Sequence, residues 1–304
     1  MTEHDNASQS VQETRGLILG FVGVVCFSVS LPATRVAVKA FGTNFVSFGR
    51  AVVAAVCAVI ALSVAKASRP NASQVRRLIL VTAGVVVGFP LFTGLALRHA
   101  PSGHGAVVIG LLPAATAGLS VLRSGERPSA RYWLYAAIGL VAVVTLSIAQ
   151  SNTSALALGD VFFLLAVLSA AVGYTEGALL SRELGGWQTI SWSVVLALPI
   201  TIPLMIVGLS SVKSGSPWTA WGSFAYLGMV SMFLGFFAWY AGLAIGGIAR
   251  VSQVQLIQPI LSVTWARIFL HEKTDALLVV VALIVLISVA GSRRSAIAPA
   301  APTR

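Results

Sequence analysis

The chain has 304 residues, of which 57% are hydrophobic and only 10% are charged, and its mean hydropathy is +0.90. A soluble protein of this length needs far more charge on its surface, so this composition excludes the soluble class and indicates a chain surrounded by lipid. The net charge of +11 does not indicate nucleic-acid binding, because the basic residues lie between apolar runs, as membrane-orienting charges do.

The N-terminal stretch MTEHDNASQSVQETRG is polar and has no basic region followed by an early apolar core. We therefore expect no cleavable signal peptide, and a polar tail over residues 1–15. The two cysteines, Cys26 and Cys57, both lie inside apolar runs. They predict neither a disulfide nor a metal site, and the sequence indicates no cofactor.

Apolar runs recur along the whole chain at about the 20-residue length that crosses a bilayer as a helix. They predict an all-α polytopic membrane protein with ten transmembrane helices. The predicted spans are 17–37, 44–65, 78–98, 102–122, 132–149, 157–179, 188–208, 219–240, 250–270 and 275–292. The least marked division is YAGLAIGGIAR (240–250), but joining its neighbours would give a helix of about 50 residues, too long for any bilayer.

The loops predict the orientation of these spans. With the N-terminus inside, thirteen Lys and Arg residues fall on the inner side and six on the outer side. This bias favours a multi-pass protein of a bacterial inner membrane with both termini in the cytoplasm.

Two stretches of the chain resemble each other, PAATAGLSVLRSGER (113–127) and PILSVTWARIFLHEK (259–273). An offset of 146 residues superposes Pro113 on Pro259, Glu126 on Glu272 and Arg127 on Lys273, and it maps span four onto span nine. An offset of 147 places Arg35 on Arg182, at the ends of spans one and six.

The ten spans thus divide into repeats of five, over residues 16–149 and 150–292, with a cytoplasmic tail over 293–304. Because five is odd, the second repeat enters the membrane the opposite way up. Such inverted repeats are typical of secondary transporters, whose substrate sites lie near the midplane between the halves.

The sequence resembles the drug/metabolite transporter superfamily, in particular its EamA-type members, from about Gly16 to Gly291. The resemblance rests on FSVSLPATRVAVK (27–39), FVSFGR (45–50), LLPAATAGLSVLRSGER (111–127), GYTEGALLSREL (173–184) and LIQPILSVTWARIFLHEK (256–273). One departure is His271 before Glu272, where the family usually has glycine, in the turn after span nine. The resemblance implies a membrane exporter of small organic molecules and leaves the substrate open.

Prolines inside four predicted spans would each free the backbone carbonyl four residues earlier. They are Pro32, Pro90, Pro113 and Pro259. The freed carbonyls either accept hydrogen bonds from a substrate or are satisfied by neighbouring groups at simple helix kinks. The resemblance implies that the spans carrying them line the central cavity.

Span nine is the richest in polar residues, which are costly in a membrane and therefore candidates for function. Gln255, Pro259 and Ser262 share one helical face, and Gln258 lies beside it. This stripe predicts a hydrogen-bonding wall of the cavity, with polar packing between helices as the alternative.

Charged residues within or near the spans give three further candidates. Glu176 could pair with a cationic substrate, carry a coupling proton, or bridge to a nearby arginine. Arg35 and Arg50 could clamp a substrate carboxylate or extend to lipid headgroups. Arg50 lies deeper than Arg35 and is the stronger candidate.

Histidine and aromatic side chains complete the candidate set. His104, near the outer start of span four, could titrate near neutral pH or simply donate a structural hydrogen bond. Phe92, Tyr174 and Tyr240 could stack on an apolar substrate, although packing is the commoner role of single aromatics in membrane helices.

These features favour a secondary transporter that exports a small metabolite, such as an amino acid or related compound. Alternating access would come from rocking of the two halves, with a proton as a candidate coupling partner beside the substrate and the bilayer. A lipid or lipid-linked-sugar flippase of the same architecture is the alternative. An enzyme is disfavoured, because the spans carry no paired acid and base. The sequence leaves the oligomeric state open.

Overall fold

The computed structural model describes residues 3–124, 130–150, 158–272 and 275–294. Within these residues every regular element is helical, and ten helices, α1 to α10, follow the ten predicted spans in order. By length and composition, seven of the helices in the described residues can cross a membrane. Apolar side chains remain exposed on the outside of the bundle, which is the expected arrangement for a surface that faces lipid.

The first repeat comprises five helices: α1 (Glu3–Ser28 and Ser30–Phe41), α2 (Thr43–Val64), α3 (Ala72–Val81, Thr82–Gly88 and Phe89–Ala96), α4 (Ser102–Ile109 and Leu112–Ser124) and α5 (Ala130–Gln150). The second comprises α6 (Leu158–Leu184), α7 (Gly186–Gly208), α8 (Trp218–Ala225, Tyr226–Leu234 and Gly235–Gly246), α9 (Ile248–Val251, Ser252–Ile257 and Gln258–Leu270) and α10 (Ala276–Arg294).

The termini and turns follow the predicted boundaries, with local differences. Helix α1 begins at Glu3 and so continues into the segment predicted as a polar tail. The division between spans eight and nine falls at Gly247, whose φ of 85° only glycine adopts readily. His271, where the family resemblance leads us to expect glycine, takes a left-handed φ of 52° at the end of α9. Glu126, Arg127 and Lys273 lie outside the described residues.

The helices pack in pairs that follow the symmetry between the two repeats. Helix α2 packs on α7, α4 on α9, and α5 on α10, so each of these pairs joins equivalent helices. Helix α1 packs on α8 and α6 packs on α3, and exchange of the two repeats converts one of these pairs into the other. The structure is therefore two five-helix repeats related by a pseudo-twofold axis, as the odd helix number of each repeat requires.

Departures from α-helical geometry also occur at equivalent places. Helices α3 and α8 each contain a π-helical stretch, Thr82–Gly88 and Tyr226–Leu234. Helix α4 is interrupted by a turn at residues 110–111, and α9 contains a 3₁₀ stretch, Ser252–Ile257. A further interruption divides α1 at Val29. These segments lie within their spans, where backbone irregularity needs shelter from lipid.

Small residues bring the symmetry-related pairs into close contact. At Gly84 in α3, an added Cβ would overlap the carbonyl oxygen of Ser169 and lie 2.8 Å from the nitrogen of Gly173 in α6. At Gly16 in α1, an added Cβ would lie 2.5 Å from the Cα of Gly246 in α8. Such glycine contacts let membrane helices associate through backbone packing.

The glycine contact between α3 and α6 predicts a strong position dependence of glycine-to-alanine changes. We expect Gly84→Ala to destabilise the protein by about 1–3 kcal/mol, because the new methyl group meets backbone atoms that cannot move aside cheaply. Gly222→Ala is the matched control, since a Cβ at this α8 position has no neighbour within 4 Å. Denaturation of both variants in detergent micelles tests this, and equal stability would contradict the assigned contact.

Candidate substrate-binding cavity

A narrow cavity lies in the middle of the bundle and contains about 490 Å³ of atom-free space. Seven helices from both repeats contribute its wall. The lining residues are Phe27, Ser30, Leu31 and Thr34 of α1, Arg50 of α2, Val85, Phe89 and Thr93 of α3, Ile109 of α4, Tyr174 of α6, Ser231, Met232 and Phe236 of α8, and Gln258 of α9. In this conformation the gaps between these side chains hold only about one water molecule.

All five helix interruptions border this cavity. The break in α1 separates two lining residues, and the π-helical stretches of α3 and α8 supply lining residues themselves. The turn in α4 follows Ile109, and the 3₁₀ stretch of α9 ends beside Gln258. Irregular backbone at membrane depth is tolerated where it lines a cavity, and π-helical segments are frequent at functional sites.

The four predicted kink prolines are part of this arrangement. Each of them, Pro32, Pro90, Pro113 and Pro259, lies in the first turn of the regular helix that follows an interruption. Proline is tolerated there because its missing N–H has no helical acceptor to lose. Sequence reasoning passed over Pro199 and Pro203, which lie inside the continuous helix α7.

Arg50 is the one charged side chain among the described residues of the cavity wall. Its side chain is 3% exposed, and Nη2 donates a hydrogen bond to Ser231 Oγ at 2.8 Å. Ser231 in turn shares a hydrogen bond of 2.7 Å with Ser30. The Arg50 Nε has no hydrogen-bond partner, and no carboxylate of the described residues lies within ion-pair distance of the guanidinium.

The rest of the wall is amphipathic. Phe27 and Phe236 form a tilted aromatic pair with ring centroids 4.8 Å apart, and Tyr174 lies 6.0 Å from Phe236. Tyr174 and Gln258 add a hydroxyl and an amide to this largely apolar surface. The cavity therefore combines one cationic anchor with aromatic walls and a few hydrogen-bonding groups.

Of the predicted polar stripe on α9, only Gln258 reaches the cavity. Gln255 and Ser262 lie beside it, around a smaller space against α1 and α4. Ser262 Oγ donates to the carbonyl oxygen of Ser28 at 2.7 Å, and this is the carbonyl that Pro32 leaves without its helical partner. A neighbouring helix thus satisfies the freed acceptor.

Glu176 lies at one end of the bundle and bridges helices. Its Oε2 accepts from Arg77 Nε at 3.4 Å, and Arg77 Nη1 also contacts Glu183 at 2.5 Å. These contacts join the start of α3 to the end of α6. A bridge to an arginine is one of the three roles predicted for Glu176, and its roles in substrate pairing and proton coupling stay predictions.

Arg35 forms a polar cluster, here called the latch, at the opposite end of the bundle. Arg35 Nε lies 3.1 Å from Glu272 Oε1, which also accepts from Ser102 N at 3.1 Å and Ser102 Oγ at 2.8 Å. Glu272 Oε2 accepts from Gly103 N at 2.9 Å. The carboxylate thereby caps the first turn of α4, which has no cap of its own, and links α1, α4 and α9.

His104 lies next to the latch and is paired with an acid. Its Nε2 lies 2.5 Å from Asp160 Oδ1 in the first turn of α6, and both side chains are buried. Asp160 is not among the residues predicted from the sequence, because it lies at the end of a predicted span. The sequence shows that residue 160 carries a carboxylate, but only the packing of α4 on α6 shows that this carboxylate pairs with His104.

The remaining aromatic candidates lie away from the cavity wall. Tyr240 is fully buried and donates to the carbonyl oxygen of Gly173 at 3.1 Å, which joins α8 to α6. Phe92 is half-buried on α3. The sequence analysis missed Ser231, although a serine inside the apolar stretch YLGMVSMFL is itself a signal of function.

Ten helices in two five-helix repeats around a central cavity are typical of membrane transporters. Consistent with this, residues 14–148 and 157–294 each match the EamA-like transporter family, and the chain belongs to that family. It is 45% identical, over 93% of its length and 98% of the relative's, to a Bacillus subtilis protein named uncharacterized transporter YdeK.

More distant relatives agree with this assignment. A Streptantibioticus cattleyicolor protein named as a probable terminal-alkyne amino-acid exporter is 24% identical over 78% of this chain and 80% of its own length. One crystal structure is 18% identical and covers 92% of this chain and 96% of its own, with a TM-score of 0.65, which shows a shared fold.

The bridge through Arg77 predicts a stabilising role for Glu176. We expect Glu176→Gln to lower the stability of the protein, with a coupling energy to Arg77 of about 1 kcal/mol in a double-mutant cycle with Arg77→Gln. Glu183→Gln is the control, because Glu183 is 47% exposed and should contribute less. Denaturant titration in micelles measures the stability of each variant and the coupling energy. If Glu176 and Arg77 show no coupling, the bridge does not stabilise the protein, and a role of Glu176 in substrate or proton binding is favoured instead.

Proposed function

We propose that this protein is a secondary transporter that exports a small metabolite bearing a carboxylate, such as an amino acid or a related amphipathic compound. The observation that carries this proposal is the buried guanidinium of Arg50 in the cavity wall, with an unused Nε and no carboxylate partner among the described residues.

A buried charge without a counter-charge costs several kcal/mol, so a protein keeps one at a cavity only where something offsets that cost. A substrate carboxylate does so well, because guanidinium and carboxylate form charge-assisted, often bidentate hydrogen bonds. Ser231 orients the guanidinium from one side and leaves Nε available.

The other walls fit the rest of such a molecule. Gln258 and Tyr174 offer hydrogen bonds to an ammonium or hydroxyl group, and Phe27, Phe89 and Phe236 offer contact to an apolar side chain. The name of the Streptantibioticus relative, a probable exporter of an amino acid with an alkyne, supports the same substrate class.

Transport would proceed by alternating access, with the cavity opening in turn at each end of the bundle. The excess of basic residues in one set of loops supports cytoplasmic termini, over 1–15 and 293–304, flanking repeats at 16–149 and 150–292 in a bacterial inner membrane. The latch end, with Arg35 and Glu272, then faces outward, and the Arg77 end faces the cytoplasm. Coupling to proton entry would drive export.

The test compares binding and counterflow of amino acids in reconstituted protein with those of Arg50→Gln. Loss of charge-assisted hydrogen bonds worth about 1.5–3 kcal/mol predicts roughly 10- to 150-fold weaker binding of the carboxylate compound. Its amide or decarboxylated analogue should bind weakly to the wild-type protein and lose little more in the variant.

Arg69→Gln serves as the control, because it removes the same charge from an exposed loop. Equal loss for the acid and its amide in Arg50→Gln would mean that Arg50 supports the structure only. A thermal-shift and counterflow panel in which every carboxylate fails, while lipids or lipid-linked sugars are translocated, would replace the proposal by a flippase.

A further inference from the structure

A hollow lined by basic side chains lies at the latch end of the bundle, outside the cavity. It is open to solvent, contains about 1150 Å³ of atom-free space, and lies between the ends of α1 and α3, the start of α2 and the segment that joins α7 to α8. This hollow is here called the basin, and its basic lining residues are Arg35, Lys39, Arg98 and Lys213. None of its described lining residues is acidic.

Three of these four charges are not neutralised within the described part of the chain. Arg35 pairs with Glu272 in the latch at 3.1 Å. Lys39, Arg98 and Lys213 are exposed and form no ion pair with any described residue. Like charges around one hollow create a positive potential, which raises the local concentration of anions. The side chains of the basin therefore favour a small anion as its ligand.

The N-terminus of α2 adds backbone donors to the basin. Gly42, Thr43 and Asn44, where this helix begins, are all lining residues. The N-cap position is occupied by Gly42, and no described side chain caps this end of the helix. The first N–H groups of a helix and the positive end of its dipole attract an anion, so they act in the same sense as the basic side chains.

A row of polar side chains on α2 connects the basin with the cavity. Thr43 lines the basin and Arg50 lines the cavity. Ser47 lies between them on the same helical face, four residues after Thr43 and three before Arg50. On α1, the wall changes from cavity to basin within one turn, between Thr34 and Val38. The basin thus lies beyond the cavity toward the latch end, about 10 Å farther along α2.

Helices α2 and α3 close the space between cavity and basin at a contact that we call the seam. Ser47 Oγ donates to the carbonyl oxygen of Pro90 at 2.9 Å, and Thr43 Oγ1 donates to that of Gly94 at 3.4 Å. An added Cβ at Gly94 would lie 2.8 Å from Thr43 Cγ2, so the two helices touch here. Hydrogen bonds of this kind contribute little net stability, and an opened seam would offer their hydroxyl groups to a passing carboxylate.

From this geometry we propose that the basin is a second anion-binding site on the transport path. It receives the carboxylate of the substrate after this group leaves Arg50 through the open seam. The ligand is a small organic carboxylate, the class proposed for the cavity. The inference therefore rests on the proposed function and adds to it the exit route and the exit site.

The surroundings of the two sites give the order of their affinities. Arg50 is 3% exposed, whereas Lys39, Arg98 and Lys213 are in contact with solvent. Exposed charges are screened by salt and bind an anion weakly, whereas a buried guanidinium is screened much less. A carboxylate held in the basin consequently dissociates into solution more readily than one held at Arg50, as export requires.

Thiol reactivity tests the anion site without any transport. We expect Asn44→Cys to react about tenfold faster with anionic sulfonatoethyl methanethiosulfonate than with the cationic trimethylammonioethyl reagent, each rate taken relative to that of free 2-mercaptoethanol. The native thiols are removed by Cys26→Ala and Cys57→Ala. Thr219→Cys is the control, because this residue is exposed at the start of α8 and is not a lining residue of the basin. It should show little preference between the reagents.

Variants and ligands identify what the basin holds. The combined changes Lys39→Gln, Arg98→Gln and Lys213→Gln leave the latch intact and should abolish the preference at Asn44→Cys. In phosphatidylcholine nanodiscs at constant ionic strength, sodium benzoate should slow the anionic reagent, and neutral benzamide should not. Equal relative rates for the two reagents would overturn the proposal. Protection by phosphatidylglycerol but not by benzoate would also overturn it, because the basin would then bind a lipid phosphate.

A disulfide across the seam tests the route. A Cβ at Gly94 would lie 3.8 Å from the Cβ of Thr43, which is the usual separation in a disulfide. With the native thiols removed, we expect Thr43→Cys/Gly94→Cys to lose carboxylate counterflow on oxidation and to regain it on reduction. Recovery after reduction shows that the variant is folded. Oxidised Thr43→Cys alone is the matched control and should keep its counterflow.

The outcomes separate this inference from the proposed function. If the parent protein transports and Arg50→Gln impairs it, undiminished counterflow through a fully formed seam disulfide overturns the exit route alone. If the parent protein transports no carboxylate, the proposed function and the exit role both fail. Thiol reactivity then still decides whether the basin binds small anions.

Discussion

The hydrocarbon of the bilayer contains no water to satisfy a free backbone N–H or C=O, and this constraint governs the whole structure. It explains why the described residues form helices throughout. It also explains why every interruption of a helix faces the central cavity or a side chain that replaces the lost hydrogen bond. Ser262, for example, satisfies the carbonyl of Ser28, which Pro32 leaves without its helical donor. Interruptions shaped in this way produce a cavity, because they prevent helices from packing closely at the midplane.

The same cost of burial sorts the charged residues into two kinds. Arg35 and Glu176 each find an oppositely charged partner on another helix, and His104 contacts the carboxylate of Asp160, so these residues hold elements together at the two ends of the bundle. Within the described part of the chain, the guanidinium of Arg50 has one hydrogen-bond partner, the hydroxyl of Ser231, so it is the group that benefits most from an incoming anion. Residue type and depth in the membrane do not distinguish residues that hold helices together from a residue that could bind an anion. The presence of an acidic or basic partner on another helix does distinguish them.

The sequence therefore predicts the ten helices and the repeat better than it predicts the residues of the cavity and the contacts between helices. Run lengths give ten helices, and the spacing from Pro113 to Pro259 gives the repeat, because both are properties of local sequence. The π-helical stretch around Ser231 leaves no mark in the apolar pattern, since one extra residue per turn changes nothing in composition. The contact of Asp160 with His104 joins residues 56 positions apart, and only the packing of α4 on α6 brings them together.

The packing also limits how such a protein can open. Helices α1 and α8 touch at glycines, as do α3 and α6, and each pair combines one helix from each repeat. A rigid-body movement of the first repeat against the second would break both of these glycine contacts. The cavity lies between the two pairs, with Ser30 and Ser231 on one side and Val85 and Tyr174 on the other. For the alternating access proposed above, we expect each pair to move as a unit about the pseudo-twofold axis while the polar contacts at each end break in turn. The interruptions of α4 and α9 at equivalent depths supply the flexible points for that movement.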